Sequence, residues 1–167
     1  EWLKKLRMNR QDMKDESKDS EGSPEVKSRM RRLQMEASQK ASERAQAIDN
    51  IHDATVVITN PTHFAVALKY APELRDTPYV LAMGKGPMAL RIIAEADKAQ
   101  VTRVRSPLLA RALFFTGDIG ADVSEELFSA VASILAYVLQ LEQGANPSFI
   151  EPDVPDDLLY DEFGSKL

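Results

Sequence analysis

Apolar residues change their spacing along the chain, and each spacing predicts an element. Val26, Met30, Leu33, Ala37, Ala41, Ala45 and Ile48 fall at helical steps. This stripe is thin and mostly alanine, so it predicts a long polar helix that leans on something rather than a core element. Ser23-Pro24 reads as its N-cap followed by proline at the first helical position. The pattern then changes. Thr55-Val56-Val57-Ile58-Thr59 is β-branched throughout and predicts a buried strand. Phe64, Val66, Leu68 and Tyr70 alternate with Ala65, Ala67 and Lys69, which predicts a second strand with the first set facing the core. Tyr79 to Met83 reads as a third strand and Val101 to Arg105 as a short fourth. Helical steps return over 87–99, from Pro107 to near Gly117, and from a Ser124-Glu125-Glu126 start to about Gln143. The order β-β-β-α-β-α-α predicts an α/β fold: a small four-stranded sheet packed by helices, preceded by a long polar linker helix.

Three segments follow from this. Residues 1–50 are a polar linker and helix, 51–145 the α/β domain, and 146–167 a tail. Within the first, Trp2 precedes Lys4, Lys5 and Arg7, a pattern that suits either the cytoplasmic exit of a membrane helix or an ordinary amphipathic start. The tail carries three prolines and six acids against one Lys, so it is expected to be unstructured. It also supplies the whole net charge of −5, since residues 1–60 carry 12 basic and 11 acidic side chains and 61–145 carry 8 and 9. A nearly neutral body gives no general case for nucleic-acid binding. With no cysteine, disulfides, thiolate metal sites and cysteine nucleophiles are excluded. Two histidines, His52 and His63, flank a whole strand and make no metal site, and no cofactor is expected. The longest apolar stretch, Leu127 to Leu139, is broken by two serines and is short of the ~20 residues a bilayer span needs.

The first two strands are joined by Asn60-Pro61-Thr62-His63. So short a link leaves only a tight turn, with Asn60 and Pro61 expected at its centre. Pro61 has no N–H, so the usual attack of the next backbone nitrogen on the asparagine side chain is closed. The reverse attack stays open: the Asn60 side-chain nitrogen can add to the Asn60 main-chain carbonyl carbon and expel Pro61 as a new amine. An amide nitrogen is a weak nucleophile, so the turn must help. Orientation between two strands can remove about 7–11 kcal/mol of barrier. Pro61 biases Asn60 away from helical geometry. Thr62 would hold the turn, and His63 is near enough to move a proton. Asn146-Pro147, in the tail with no flanking strands and no histidine, is an internal control expected to be inert.

The run Val57 to Tyr70 around Asn60-Pro61-Thr62-His63 resembles the autocleaving cytoplasmic domain of the export-switch proteins of type III secretion systems, the flagellar type more than the injectisome type. The resemblance extends to Lys14–Lys27 and Pro107–Phe114. It implies a single-turnover autoprotease that cuts itself between Asn60 and Pro61. It implies a cytoplasmic domain at the bacterial inner membrane, below a membrane half that would precede Glu1. It also implies export-gate components and export substrates as partners, and a role in switching substrate specificity. The fragments are expected to stay associated, because both flank the cut with core strands.

Two other features offer alternatives. Gly84-Lys85-Gly86-Pro87 lies between a strand and a helix, where backbone N–H groups can hold a phosphate, although no full phosphate-loop motif is present. A non-cleaving module binding a partner or a phosphate there is the competing reading. The last helix carries two adjacent apolar stripes, Leu127-Val131-Ile134-Val138-Leu141 and Phe128-Ala132-Leu135-Leu139. Either both are buried, or Ala132 and Leu135 with Thr77 and Pro78 form a docking groove for a short apolar segment of an export substrate.

Overall fold

The computed structural model describes residues 23–61 and 63–167. The described residues divide at Ser42 and Glu43 into two units, the second being Glu43–Leu167. Helix α1, Pro24–Ile48, begins in the first. Its start follows from Ser23, whose carbonyl accepts the Lys27 N–H, with Pro24 at a position that needs no donor. Met30, Leu33 and Met35 on it are exposed. The last turn of α1 lies in the second unit and buries Ala47 and Ile48.

That unit contains strands β1 (Val56–Asn60), β2 (Phe64–Lys69), β3 (Tyr79–Lys85) and β4 (Arg103–Arg105), and helices α2 (Pro87–Lys98), α3 (Pro107–Thr116) and α4 (Phe128–Glu142). The four strands lie in the order β3-β2-β1-β4. β1 is therefore interior, antiparallel to β2 and parallel to β4. The α/β class, the sheet and its helices are as the sequence predicts.

Alternation along the strands sorts two cores. Val56, Ile58, Phe64, Val66, Leu68 and Val80 face α3 and α4. Val57, Ala65, Ala67 and Ala82 face α2 together with Ile48 and Ile51. The small residues on this second face let α2 approach the sheet closely through Ala89, Ile92 and Ala96. Burial on both faces is why β1 is a continuous β-branched run.

Three expectations are corrected. Tyr70 does not face the core: β2 ends at Lys69, the Tyr70 N–H turns to Thr55 Oγ1 at 3.0 Å, and its ring is exposed. The last helix starts at Phe128, after a single 3-10 turn over Glu125–Leu127. The tail is not unstructured. Leu158 is buried in the main core, Tyr160 packs on Phe115, and Tyr160 pairs with Lys166 in an isolated bridge. A few apolar side chains set among the acids suffice to dock it.

Candidate functional site

β1 and β2 pair from Val56↔Leu68 to Asn60↔Phe64, so the hairpin register ends at the Asn-Pro turn. The His63 N–H donates to the Asn60 carbonyl oxygen at 3.0 Å and closes the turn. Asn60 thus occupies the corner of the turn rather than its centre, as the last residue of β1, and Pro61 is the exposed residue after it. Thr62 lies outside the described residues.

The consequence is chemical. The carbonyl that accepts this hydrogen bond belongs to the Asn60–Pro61 peptide itself. A backbone donor already points at the oxygen where negative charge would develop if a nucleophile added to that carbon. The donor is fixed from its other side, because the His63 carbonyl accepts the Gly86 N–H at 2.9 Å. Gly86 can reach it only in an unusual conformation, φ +58° and ψ −129°, which side-chain-bearing residues avoid. It serves at the same time as N-cap of α2, with Pro87 behind it. Its amide is thereby taken, which removes one donor from any phosphate cradle at Gly84–Gly86.

The His63 imidazole is about half exposed. Its Nδ1 lies 3.1 Å from the Pro61 carbonyl oxygen. A carbonyl only accepts, so Nδ1 carries the proton in this contact. Nε2 faces Glu162 Oε1 at 3.7 Å. Beneath the turn, Phe64 packs against Phe114 and Phe115 at centroid distances of 5.0 and 5.5 Å, which ties the first residue of β2 to α3. The contacts of Gly86 and Glu162 with His63 depend on tertiary placement, and no local pattern marks Glu162. A glycine immediately before a helix-opening proline was the one local hint of a special backbone at residue 86.

Thr77, Pro78, Ala132 and Leu135 come together some distance from the turn. With Tyr70, Phe128 and Leu139 they line an apolar groove of about 640 Å³ between the β2–β3 loop and α4. Both stripes of α4 are accounted for: Val131, Ile134 and Val138 are buried, and the Ala132-Leu135-Leu139 side borders the groove. Among the described residues no cluster of His, Asp and Glu could hold a metal ion, and no helix is long and apolar enough to cross a membrane.

Fold and turn together define a small α/β domain built around an Asn-Pro hairpin on an interior strand. Residues 1–138 match the model of the FlhB HrpN YscU SpaS family, and the chain belongs to that family. It is 40% identical over 156 residues to the flagellar biosynthetic protein FlhB of Yersinia enterocolitica, covering 93% of this chain and 39% of that protein. It is 42% identical over 139 residues to FlhB of Aquifex aeolicus, covering 83% of this chain and 38% of that protein. The chain thus spans about two-fifths of the length of the curated relatives it matches. Among solved structures, the cytoplasmic domain of FlhB from Shewanella putrefaciens superposes with a TM-score of 0.63 at 33% identity, covering 70% of this chain and 95% of that one. An EscU C-terminal domain bearing one Asn-to-Ala substitution superposes with a TM-score of 0.54 at 30% identity, covering 55% of this chain and 92% of that one.

Proposed function

We propose that this domain cleaves its own Asn60–Pro61 bond by asparagine cyclisation, once per molecule, and that the cut acts in the substrate-specificity switch of a type III protein-export apparatus, in flagellar assembly. The family and the flagellar relatives support the setting. The observation that carries the chemistry is the His63 N–H held 3.0 Å from the scissile carbonyl oxygen.

In the reaction, Asn60 Nδ2 adds to the Asn60 main-chain carbon and loses a proton. The carbonyl oxygen takes up negative charge against the His63 N–H. The bond from carbon to the Pro61 nitrogen then breaks, and that nitrogen leaves with a proton. The products are a C-terminal succinimide on 1–60, later opened by one water, and a chain beginning at Pro61. A single preorganised donor of this kind is worth about 10²–10³ in rate. His63 contributes its backbone amide directly, and its ring, which contacts the Pro61 carbonyl, is the group proposed to relay the proton. EscU C-terminal domains have been solved with an Asn changed to Ala or Asp and with the following Pro changed to Ala, so that protein too carries an Asn-Pro dipeptide.

We place the domain on the cytoplasmic side of the bacterial inner membrane, by analogy with the Shewanella cytoplasmic domain, and give it export-gate components and export substrates as partners. The apolar groove at Thr77, Pro78, Ala132 and Leu135 is the surface suited to a short apolar segment of such a substrate. The test of cleavage is a denaturing gel with intact mass. Two pieces, 1–60 and 61–167, are expected, the larger beginning Pro-Thr-His-Phe, and Asn60→Ala should leave one band. A single intact wild-type band after days at neutral pH overturns the reading.

A further inference from the structure

The acidic tail runs back along α3 and ends against the turn. At the start of α3, Glu151 Oε1 accepts a hydrogen bond of 2.7 Å from the hydroxyl of Ser106, a fully buried residue. Farther along, Arg111 Nε donates to the Tyr160 carbonyl at 2.7 Å. The Tyr160 ring then stacks against Phe115, 5.3 Å between centroids. The last residues close on themselves. Asp161 Oδ1 accepts from the amides of Phe163 and Ser165, both at 2.9 Å, and the Leu167 N–H returns to the Leu159 carbonyl. Gly164, at φ +86°, lies so close over Phe115 that an added Cβ would come within 2.8 Å of the ring. This folded knob carries Glu162, whose Oε1 faces His63 Nε2 at 3.7 Å.

We propose that Glu162 is a positioning residue for the turn, an inference that rests on the cleavage reading above. One ring nitrogen of His63 is engaged by the Pro61 carbonyl and the other faces the Glu162 carboxylate, so the imidazole is oriented at both ends. The ring and the amide that faces the scissile carbonyl belong to the same residue. Holding the ring therefore holds that amide. The tail touches neither reacting atom; it acts through His63.

Pulse-labelled full-length chain, translated in vitro and chased at neutral pH, reads the cut on a denaturing gel. Glu162→Ala and Glu162→Gln should slow it by about two- to fivefold, the range open to a half-exposed polar contact. Glu162→Asp should recover part of the rate, and Asp157→Asn, elsewhere in the tail, should leave it unchanged. A second measurement does not depend on cutting. In Asn60→Ala protein, Glu162→Gln should shift the NMR cross-peak of the His63 ring, with the peak of His52 as an internal reference. A wild-type chain that is never cut overturns the cleavage reading and the role of Glu162 with it. Glu162→Ala cutting at the wild-type rate, or an unmoved His63 peak, overturns the role of Glu162 alone.

Discussion

Cutting the chain at Asn60 should not take the domain apart. The short piece supplies five buried Val and Ile side chains to the second unit: Ile48, Ile51, Val56, Val57 and Ile58, none more than 3% exposed. At about 1.5–3 kcal/mol each, their burial contributes on the order of 8–15 kcal/mol before the cost of association is counted. β1 is also hydrogen-bonded along both edges, to β2 and to β4. At micromolar concentration the two pieces should elute together on native size exclusion and separate only in denaturant. The cut leaves one further signature. Folding of nicked protein is bimolecular, so tenfold dilution removes about 1.4 kcal/mol of apparent stability. With a urea slope of about 1–3 kcal/mol per molar, the unfolding midpoint should fall by about 0.5–1.4 M. The uncut Asn60→Ala chain should show no such dependence. Release of the 1–60 piece in native buffer, or a midpoint indifferent to dilution, would refute the placement of β1 as an interior strand.

Gly86→Ala should cost about 1–3 kcal/mol, because φ +58° with ψ −129° suits glycine alone, and cleavage should slow as the amide leaves the His63 carbonyl. Gly120→Ala, at another positive φ with open space around it, should lower stability while leaving the cleavage rate intact. Ile58→Ala in the Asn60→Ala background should lower unfolding free energy by about 2–5 kcal/mol in urea titration, since Ile58 is fully buried. Mass spectrometry should find Asn146–Pro147 uncut in every variant, because it sits in the tail outside any strand or hydrogen-bonded turn.

The strands and helices were legible because their cues are local. A β-branched run such as Val56-Val57-Ile58, or a proline after a cap residue such as Ser106-Pro107, specifies its own conformation. Asn-Pro between two strands likewise announced a turn. What could not be read was anything made by residues far apart. The alternation rule carried Tyr70 into the core because it counts faces and cannot see that the strand has ended; the ring borders the groove instead. The tail's charge density argued for solvation, yet Leu158 and Tyr160 are enough to dock it once Phe115 offers a surface. The Gly86 amide and the Glu162 carboxylate both reach His63 across gaps in sequence that no local pattern spans.

The position of β1 in the sheet also bears on biosynthesis. One of its neighbours, β2, follows immediately, but the other, β4, comes only after β3 and α2. Gly86, which fastens the His63 carbonyl, likewise emerges later than the turn it holds. At about 5–20 residues per second, a ribosome exposes Asn60 seconds before either of them. A nascent hairpin therefore has its central strand half covered and its amide unfastened. On the proposed chemistry, the cut waits for the sheet to close. A chain severed earlier would have to recover its own middle strand by diffusion, whereas one severed afterwards already contains it. If the proposed cut needs the fastened turn, the late arrival of Gly86 and β4 delays it until the sheet has closed.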